Sequence, residues 1–346
     1  MDGKPLVDVA KGELRPGRTP IWMMRQAGRH LPEFLALKAE RNGFLDLCYT
    51  PTAAVEATMQ PVRRYDIDAA IIFSDILVVP HGLGQKVEFN PGPMLEPLPN
   101  AAAIDALSID RMSTFLTPMY DAISGVAAAL QTERPQCALF GFCGAPFTVA
   151  SYMIEGRSSK DHDSVRRWAA QDPTGFSALL DLLIESNSAH LINQIRAGAD
   201  IVQIFDSWAG DLTDDEVRRW SLEPTIAIAR KVRAAAPDTP ISVFPRGVGA
   251  LTSAFEASGA FDVIGLSPEA DLKSAASWPN ARPQGNLDPQ ILISGGDFLT
   301  AATAAILDAL DGRPFIFNLG HGVDPTTPIP HVHAMIKQIR DRDANV

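Results

Sequence analysis

Residues 20–34, PIWMMRQAGRHLPEF, hold a short apolar run that stops abruptly at two arginines four positions apart, Arg25 and Arg29. An apolar strand that delivers paired cations builds an anion site, because each guanidinium is a rigid, permanently charged fork that grips carboxylate or phosphate through two parallel hydrogen bonds. Gly28 between the arginines lets the backbone turn tightly. Gln26, Gly28 and Pro32 interrupt any simple solvated helix face, so a loop of surface arginines is the weaker reading.

The same plan, an apolar run followed by polar residues, recurs along the chain. Eight runs qualify: 20–24, 69–73, 137–142, 201–205, 240–244, 263–266, 282–286 and 314–317, the seventh being weak. Most are near-continuous rather than alternating, as in parallel strands covered on both faces. Between them, helical spacing predicts helices over 51–65, 118–131, 173–196, 214–236, 299–310 and 330–342, several opening on Pro or Asp as first helical turns do. Eight such units without a linker or composition break predict one (β/α)8 TIM-type barrel, a single domain over residues 1–346. The rival is a doubly wound open sheet. Residues 82–98, GLGQKVEFNPGPMLEPL, surround a short alternating run with turn residues and predict a β-hairpin insertion after the second strand.

Composition narrows the function. With 46% hydrophobic and 21% charged residues the chain is of ordinary globular composition. The N-terminal stretch lacks the apolar core of a signal peptide, and no segment approaches the roughly 18 apolar residues of a membrane span, which predicts a cytoplasmic protein. Cys48, Cys137 and Cys143, an odd number, fit a reducing compartment and read as buried small hydrophobes. A formal charge of −11 argues against nucleic-acid binding. An acidic chain that binds an anion must concentrate its cations in one cleft.

Barrel active sites lie at the C-terminal ends of the strands. There this sequence places Arg25, Gln26 and Arg29; Ser74 and Asp75; residues 144–148; Asp206 and Ser207; Pro245 and Arg246; Asn286 and Asp288; and Asn318, Gly320, His321 and Gly322. No lysine ends a strand except Lys86 across the hairpin, so Schiff-base chemistry is poorly supported. HGLG at 81–84 reads as a turn rather than a phosphate loop. Cys137 and Cys143, six residues apart in a strand, lie roughly 20 Å apart and cannot share a metal; His331 and His333 diverge on a tail helix. His321 stands out because glycines flank it and free its backbone. Asp75 stands out because a buried run, AAIIFSD, carries a carboxylate toward the arginines. It either neutralises them or faces a ligand, where a charge pair near 4 Å is worth about 4 kcal/mol at an effective dielectric of about 20.

In order, PIWMMRQAGRHLPEF, IIFSDIL (71–77), GFCGAPFTVASYMIEG (141–156), IFDSWAG (204–210), QGNLDP (284–289) and NLGHGV (318–323) resemble the uroporphyrinogen decarboxylase family of the haem pathway, almost end to end. Departures are mild: His30 stands where tyrosine is frequent, and Cys143 and Phe147 where other small and aromatic residues are common. The resemblance implies a distorted barrel that uses no cofactor and no metal and forms a homodimer. It implies a tetrapyrrole substrate, with CO2 removed from the four acetates of uroporphyrinogen III to give coproporphyrinogen III. It places Arg25, Gln26 and Arg29 on the anion-binding motif, Asp75 at the pyrrole nitrogens, Tyr152, Ser207 and His321 among the remaining polar contacts, and Phe205 in the pocket lining. Asp75, Arg29, Tyr152 and His321 are the expected catalytic set, the proton donor among them being open. Two rivals share the barrel: a zinc-dependent methyltransferase, which would need His and Cys ligands near the last strands, and a non-catalytic tetrapyrrole binder.

Overall fold

The computed structural model of the chain describes residues 3–90 and 92–345. Its centre is a curled parallel sheet with the strand order β1 (Ala69–Ile71), β4 (Ala138–Gly144), β5 (Ile201–Asp206), β6 (Ile241–Pro245), β7 (Val263–Gly265), β8 (Arg282–Leu287) and β9 (Ile316–Leu319). All seven coincide with apolar runs, including the weak seventh, whose Pro283 sits in the sheet beside Ile264. The first run fills the gap between the edge strands. Ile21 forms a parallel bridge to Phe317, the Phe317 N–H donates to the Pro20 carbonyl (2.8 Å), and on the other side the Asp68 N–H donates to the Ile21 carbonyl (2.7 Å).

Both faces of this sheet are covered, so its strands are largely apolar, with a few buried polar residues, among them Gln203, Ser242 and Gln284, inside the barrel. Trp22 stacks on Phe140 (4.4 Å between centroids) and donates from Nε1 to Gln284 Oε1 (2.9 Å). Gln284 Nε2 in turn donates to Gln203 Oε1 (2.9 Å), which also accepts from Ser242 Oγ (3.0 Å). These buried polar groups cross the barrel interior and bond to one another, which limits the desolvation cost of placing them there, although Gln203 Nε2 is left without a partner among the described residues.

The expected helices form as Pro51–Arg64, Thr117–Glu133, Pro173–Arg196, Gly296–Ala309 and Ile329–Asp343. The predicted 214–236 helix is one run with a π-helical stretch, Val217–Leu222, inside it. Ser221 of that stretch donates to buried Asp206 (2.5 Å). Asp172 caps the long helix, accepting from the Gly175 N–H (2.9 Å), and Pro173 occupies its first turn.

The insertion is a hairpin of β2 (Val87–Phe89) and β3 (Pro93–Leu95), antiparallel with Val87 opposite Leu95; Pro91, part of the predicted insertion, lies outside the described residues. HGLG is only partly a turn. His81, Gly82 and Leu83 belong to helix Val78–Leu83, and Gly84, at φ 125°, ends it. The hairpin is fastened to helix Pro146–Glu155, since the Leu98 N–H and Gln85 Nε2 both donate to the Met153 carbonyl (2.8 and 3.0 Å).

At the N-terminal end of the barrel one carboxylate joins three parts of the chain. Asp68, 3% exposed, accepts from the Ile21 N–H (2.8 Å), Arg18 Nε (2.8 Å) and Arg340 Nη2 (2.5 Å). Removing one partner of a buried charged cluster strands the others without compensation. Asp68→Asn is expected to lower the unfolding free energy by about 3 kcal/mol, read from the midpoint of urea denaturation at constant slope.

Candidate functional site

The turn after the first run is pinned from several directions. Gln26 is fully buried; its Oε1 accepts from the Met23 N–H (3.1 Å) and its Nε2 donates to the Ala69 carbonyl (2.9 Å). Both ends of the amide are therefore committed to backbone, and the side chain acts as a strut between the first run and β1. The Met24 N–H donates to Asn318 Oδ1 (3.1 Å), tying the same turn to β9. Arg25 then leaves at φ 61°, a left-handed conformation that costs a non-glycine residue about 1 kcal/mol and throws its side chain across the barrel mouth.

The glycines of these motifs serve proximity rather than unusual dihedrals. A Cβ on Gly322 would lie 2.4 Å from Arg25 Cδ, one on Gly320 2.5 Å from Pro268 N, and one on Gly28 2.9 Å from the Arg25 carbonyl oxygen. None of the three is at positive φ, contrary to the expectation for His321's neighbours. They let the first motif, the loop after β7 and the loop after β9 interlock.

Arg25 reaches three other groups electrostatically: Asp75, Tyr152 and His321. Asp75 is partly buried and its Oδ1 accepts from the Leu77 N–H (2.9 Å). Burial raises its proton affinity, opposed by the Leu77 N–H and Arg25. Burial, then the Asp75 charge, pushes the Tyr152 phenol up. Burial, then Arg25 and Arg246, pushes His321 down to about 4. His321 is thus a neutral imidazole at pH 7, able to hydrogen-bond but poorly matched as an acid.

Arg29 is exposed and stands on the outer rim, within electrostatic range of Asp324. Among the described residues neither Arg25, Arg29 nor Arg246 is engaged in an ion pair, so three cations at the mouth are available to an anion. Phe205 is partly buried, edge-on to Phe142 (5.6 Å) and Phe244 (6.4 Å). Ser207 lines a cleft of about 440 Å³ beside Asp211, Arg246, Glu269, Asp288 and His321. Arg25, Arg29, Asp75, Tyr152 and Phe205 do not line this cleft; of these, the Arg25 stem lies over Gly322 on its wall, and Asp75 and Tyr152 are linked to Arg25 electrostatically.

Two strand-end residues turn away from the mouth. Asp206 is fully buried, accepts from Thr148 Oγ1 and Ser221 Oγ (2.5 Å each), and is pushed up to about 6 by burial. Lys86 pairs with Glu88 (2.9 Å) on the surface. Reading the sequence missed Glu269, although it follows β7 and the strand-end rule reaches it; Asp211 lies five residues past β5 and carries no such signal. Cys48, Cys137 and Cys143 are buried, and among the described residues no three His, Cys, Asp or Glu side chains converge as metal ligands would.

A parallel β/α barrel whose mouth carries three arginines in no ion pair among the described residues, one of them, Arg25, within electrostatic range of the partly buried Asp75, defines a class of β/α-barrel protein with a cationic mouth. Residues 1–342 match the family model described as uroporphyrinogen decarboxylase (URO-D). Proteins named uroporphyrinogen decarboxylase from Rhodospirillum rubrum and Sphingopyxis alaskensis are each 45% identical, over 97% of this chain and 97% and 98% of theirs. The chain belongs to the uroporphyrinogen decarboxylase family. Among solved structures, a methyltransferase from Methanosarcina mazei shares the fold, with a TM-score of 0.79 at 19% identity over 98% of this chain and 97% of that one.

Since the folded His321 binds its proton more weakly than the unfolded chain does, its neutral form is favoured, and the stability this gives is present above about pH 6.5 and lost as pH falls toward 4. The His321 imidazole is expected to remain neutral by NMR down to about pH 5, and His321→Asn to lower kcat/KM without moving its pH profile between about 6 and 8.

Proposed function

We propose that this chain decarboxylates the four acetate side chains of uroporphyrinogen III, giving coproporphyrinogen III and CO2 in porphyrin biosynthesis. The observation that carries this reading is the arrangement at the mouth: Arg25, in no ion pair, within electrostatic reach of a half-buried Asp75, in a chain 45% identical to proteins of that name over nearly its whole length. The substrate has eight carboxylates around four pyrrole N–H groups. Arg25, Arg29 and Arg246 supply cations for the arms, and Asp75 supplies an anion for the centre.

The chemistry needs a sink for two electrons. A pyrrole protonated on a ring carbon becomes an iminium-like acceptor; the bond to the departing carboxyl breaks, its electrons flow into the ring, and CO2 leaves. A proton then adds to the exposed methylene and the ring proton is returned, so each CO2 consumes one proton. The ring is its own sink, and no cofactor is needed. Asp75 stabilises the ring cation as it develops, and stabilisation that grows toward the transition state raises turnover. Its raised proton affinity also suits it to hand over the ring proton first. His321, neutral, and Tyr152, firmly protonated, orient the substrate by hydrogen bonds. Arg29 seats a carboxylate at the rim, Phe205 and Ser207 line the pocket, and Gln26 acts through the backbone it braces.

We read the chain as one domain over residues 1–346 that works in the cytoplasm as a homodimer, a state light scattering on the purified protein measures. No helix among the described residues is long and apolar enough to cross a membrane. Anaerobic incubation with uroporphyrinogen, following loss of carboxyl groups, tests the activity directly; unchanged substrate would refute it. Asp75→Asn is expected to lower kcat by roughly 10²- to 10³-fold, the worth of about 4 kcal/mol or somewhat less, while product affinity changes less than about tenfold. Equal losses in both would assign Asp75 to binding alone.

A further inference from the structure

Between the helix that carries Tyr152 and the loop that carries Ser207 lies a histidine that the reaction above does not use. His162 is fully buried at φ 52°, immediately before helix Asp163–Gln171. Its Nδ1 is 2.7 Å from Ser151 Oγ and its Nε2 is 3.2 Å from Asp211 Oδ2. A carboxylate only accepts, so in the neutral ring Nε2 carries the hydrogen and donates to Asp211, while Nδ1 accepts from the Ser151 hydroxyl. The ring also packs edge-on against Trp208 and Phe147, each at 5.5 Å.

Asp211 belongs to the cleft wall, and its side chain is 42% exposed. Its backbone is fixed from two further directions. Arg166 Nη2 donates to its carbonyl (2.7 Å), and the preceding Gly210 lies so close to the loop after β6 that a Cβ there would meet the Arg246 oxygen and two Gly247 atoms at 2.9 Å. Two other acids of the cleft have local explanations. Asp288 caps the helix that follows it, accepting from the Gln290 N–H (2.8 Å), and Asp324 bonds Thr326 in its own loop (2.6 and 2.8 Å). Among the described residues only Asp211, of the acids in the cleft, is held by an imidazole that the fold has taken out of water, and burying such a group is unfavourable unless both nitrogens find partners.

The structure assigns Asp211 as a specificity-determining carboxylate of the cleft and His162 as the positioning residue that holds it. This rests on the polycarboxylate reading above. Against a ligand with eight carboxylates, a fixed anion works by exclusion: it repels acid arms from one wall and leaves them to gather at Arg25 and Arg29, which fixes how the macrocycle is seated. A mobile Asp211 could swing away and would discriminate less.

Uroporphyrin, the oxidised ring with the same eight carboxylates, quenches tryptophan fluorescence on binding and gives a Kd whether or not a variant turns over. Asp211→Asn is expected to bind it roughly three- to tenfold more tightly than the wild type at about 0.02 M salt, the gap closing to under about twofold at about 0.5 M, where screening is short-ranged. His162→Asn, whose short amide reaches Ser151 but not Asp211, shifts Kd in the same direction. His162→Gln, whose amide nitrogen reaches the place of Nε2, stays within about twofold of the wild type. Equal affinity of Asp211→Asn and wild type at low salt, a gap that salt does not close, or equal shifts in the two His162 variants would overturn the assignment. The activity is decided separately by uroporphyrinogen consumption: an inactive wild type showing the salt-dependent gap would refute the decarboxylase reading and leave this one standing.

Discussion

The site exists because the barrel closes, and the barrel closes on Asp68. The seven-stranded sheet has two edges, and the segment that bridges them contributes only a few backbone hydrogen bonds of its own. One buried carboxylate compensates by holding the Ile21 amide, Arg18 and Arg340 together. The bridging segment is thereby fixed in register with β1 and β9 at one end of the barrel, and at the other end it emerges as the motif that bears Arg25 and Arg29. Gln26 repeats the device near the mouth in neutral form, with an amide in place of a carboxylate.

Given that frame, the electrostatics of the mouth follow from its position rather than from total charge. The chain carries −11, yet at the mouth three arginines lie free of ion pairs among the described residues, and burial, with the field of Arg25 and Arg246, pushes His321 down to about 4. The same loss of water makes Asp75 hold its proton more tightly. An acid that holds its proton more tightly and a base that holds it less tightly are what loss of water does to groups of opposite type. Acids on the facing wall, Asp211 and Glu269 among them, give the cleft a polarity that a uniformly cationic bowl would lack.

Much of this was legible from the chain because barrel chemistry follows strand ends. Seven of the eight apolar runs met a strand and the first, 20–24, met a single bridge to the last strand, and Arg25, Asp75 and His321 each follow a run. What escaped had physical reasons. Short helices such as Pro146–Glu155 are buried almost all round and so show no amphipathic period. Gln26 and Asp206 look like site residues because polar side chains at strand ends usually face the mouth, and only the structure shows that their partners lie beneath it. The flanking glycines of His321 suggested dihedral freedom; the space they leave for Arg25 and Pro268 comes from segments far away in sequence. His162 and Asp211 join parts of the chain 49 residues apart, a pairing that no local pattern announces.

Arg25 lies against Gly322, and Met24 is tied to Asn318, across a separation of 294 residues. The barrel mouth is therefore assembled from an early motif and a late motif of the sequence. During synthesis the early arginines precede their late counterparts, and the contacts of Arg25 with Gly322 and of Met24 with Asn318 can form only once the last strand of the sheet has been made.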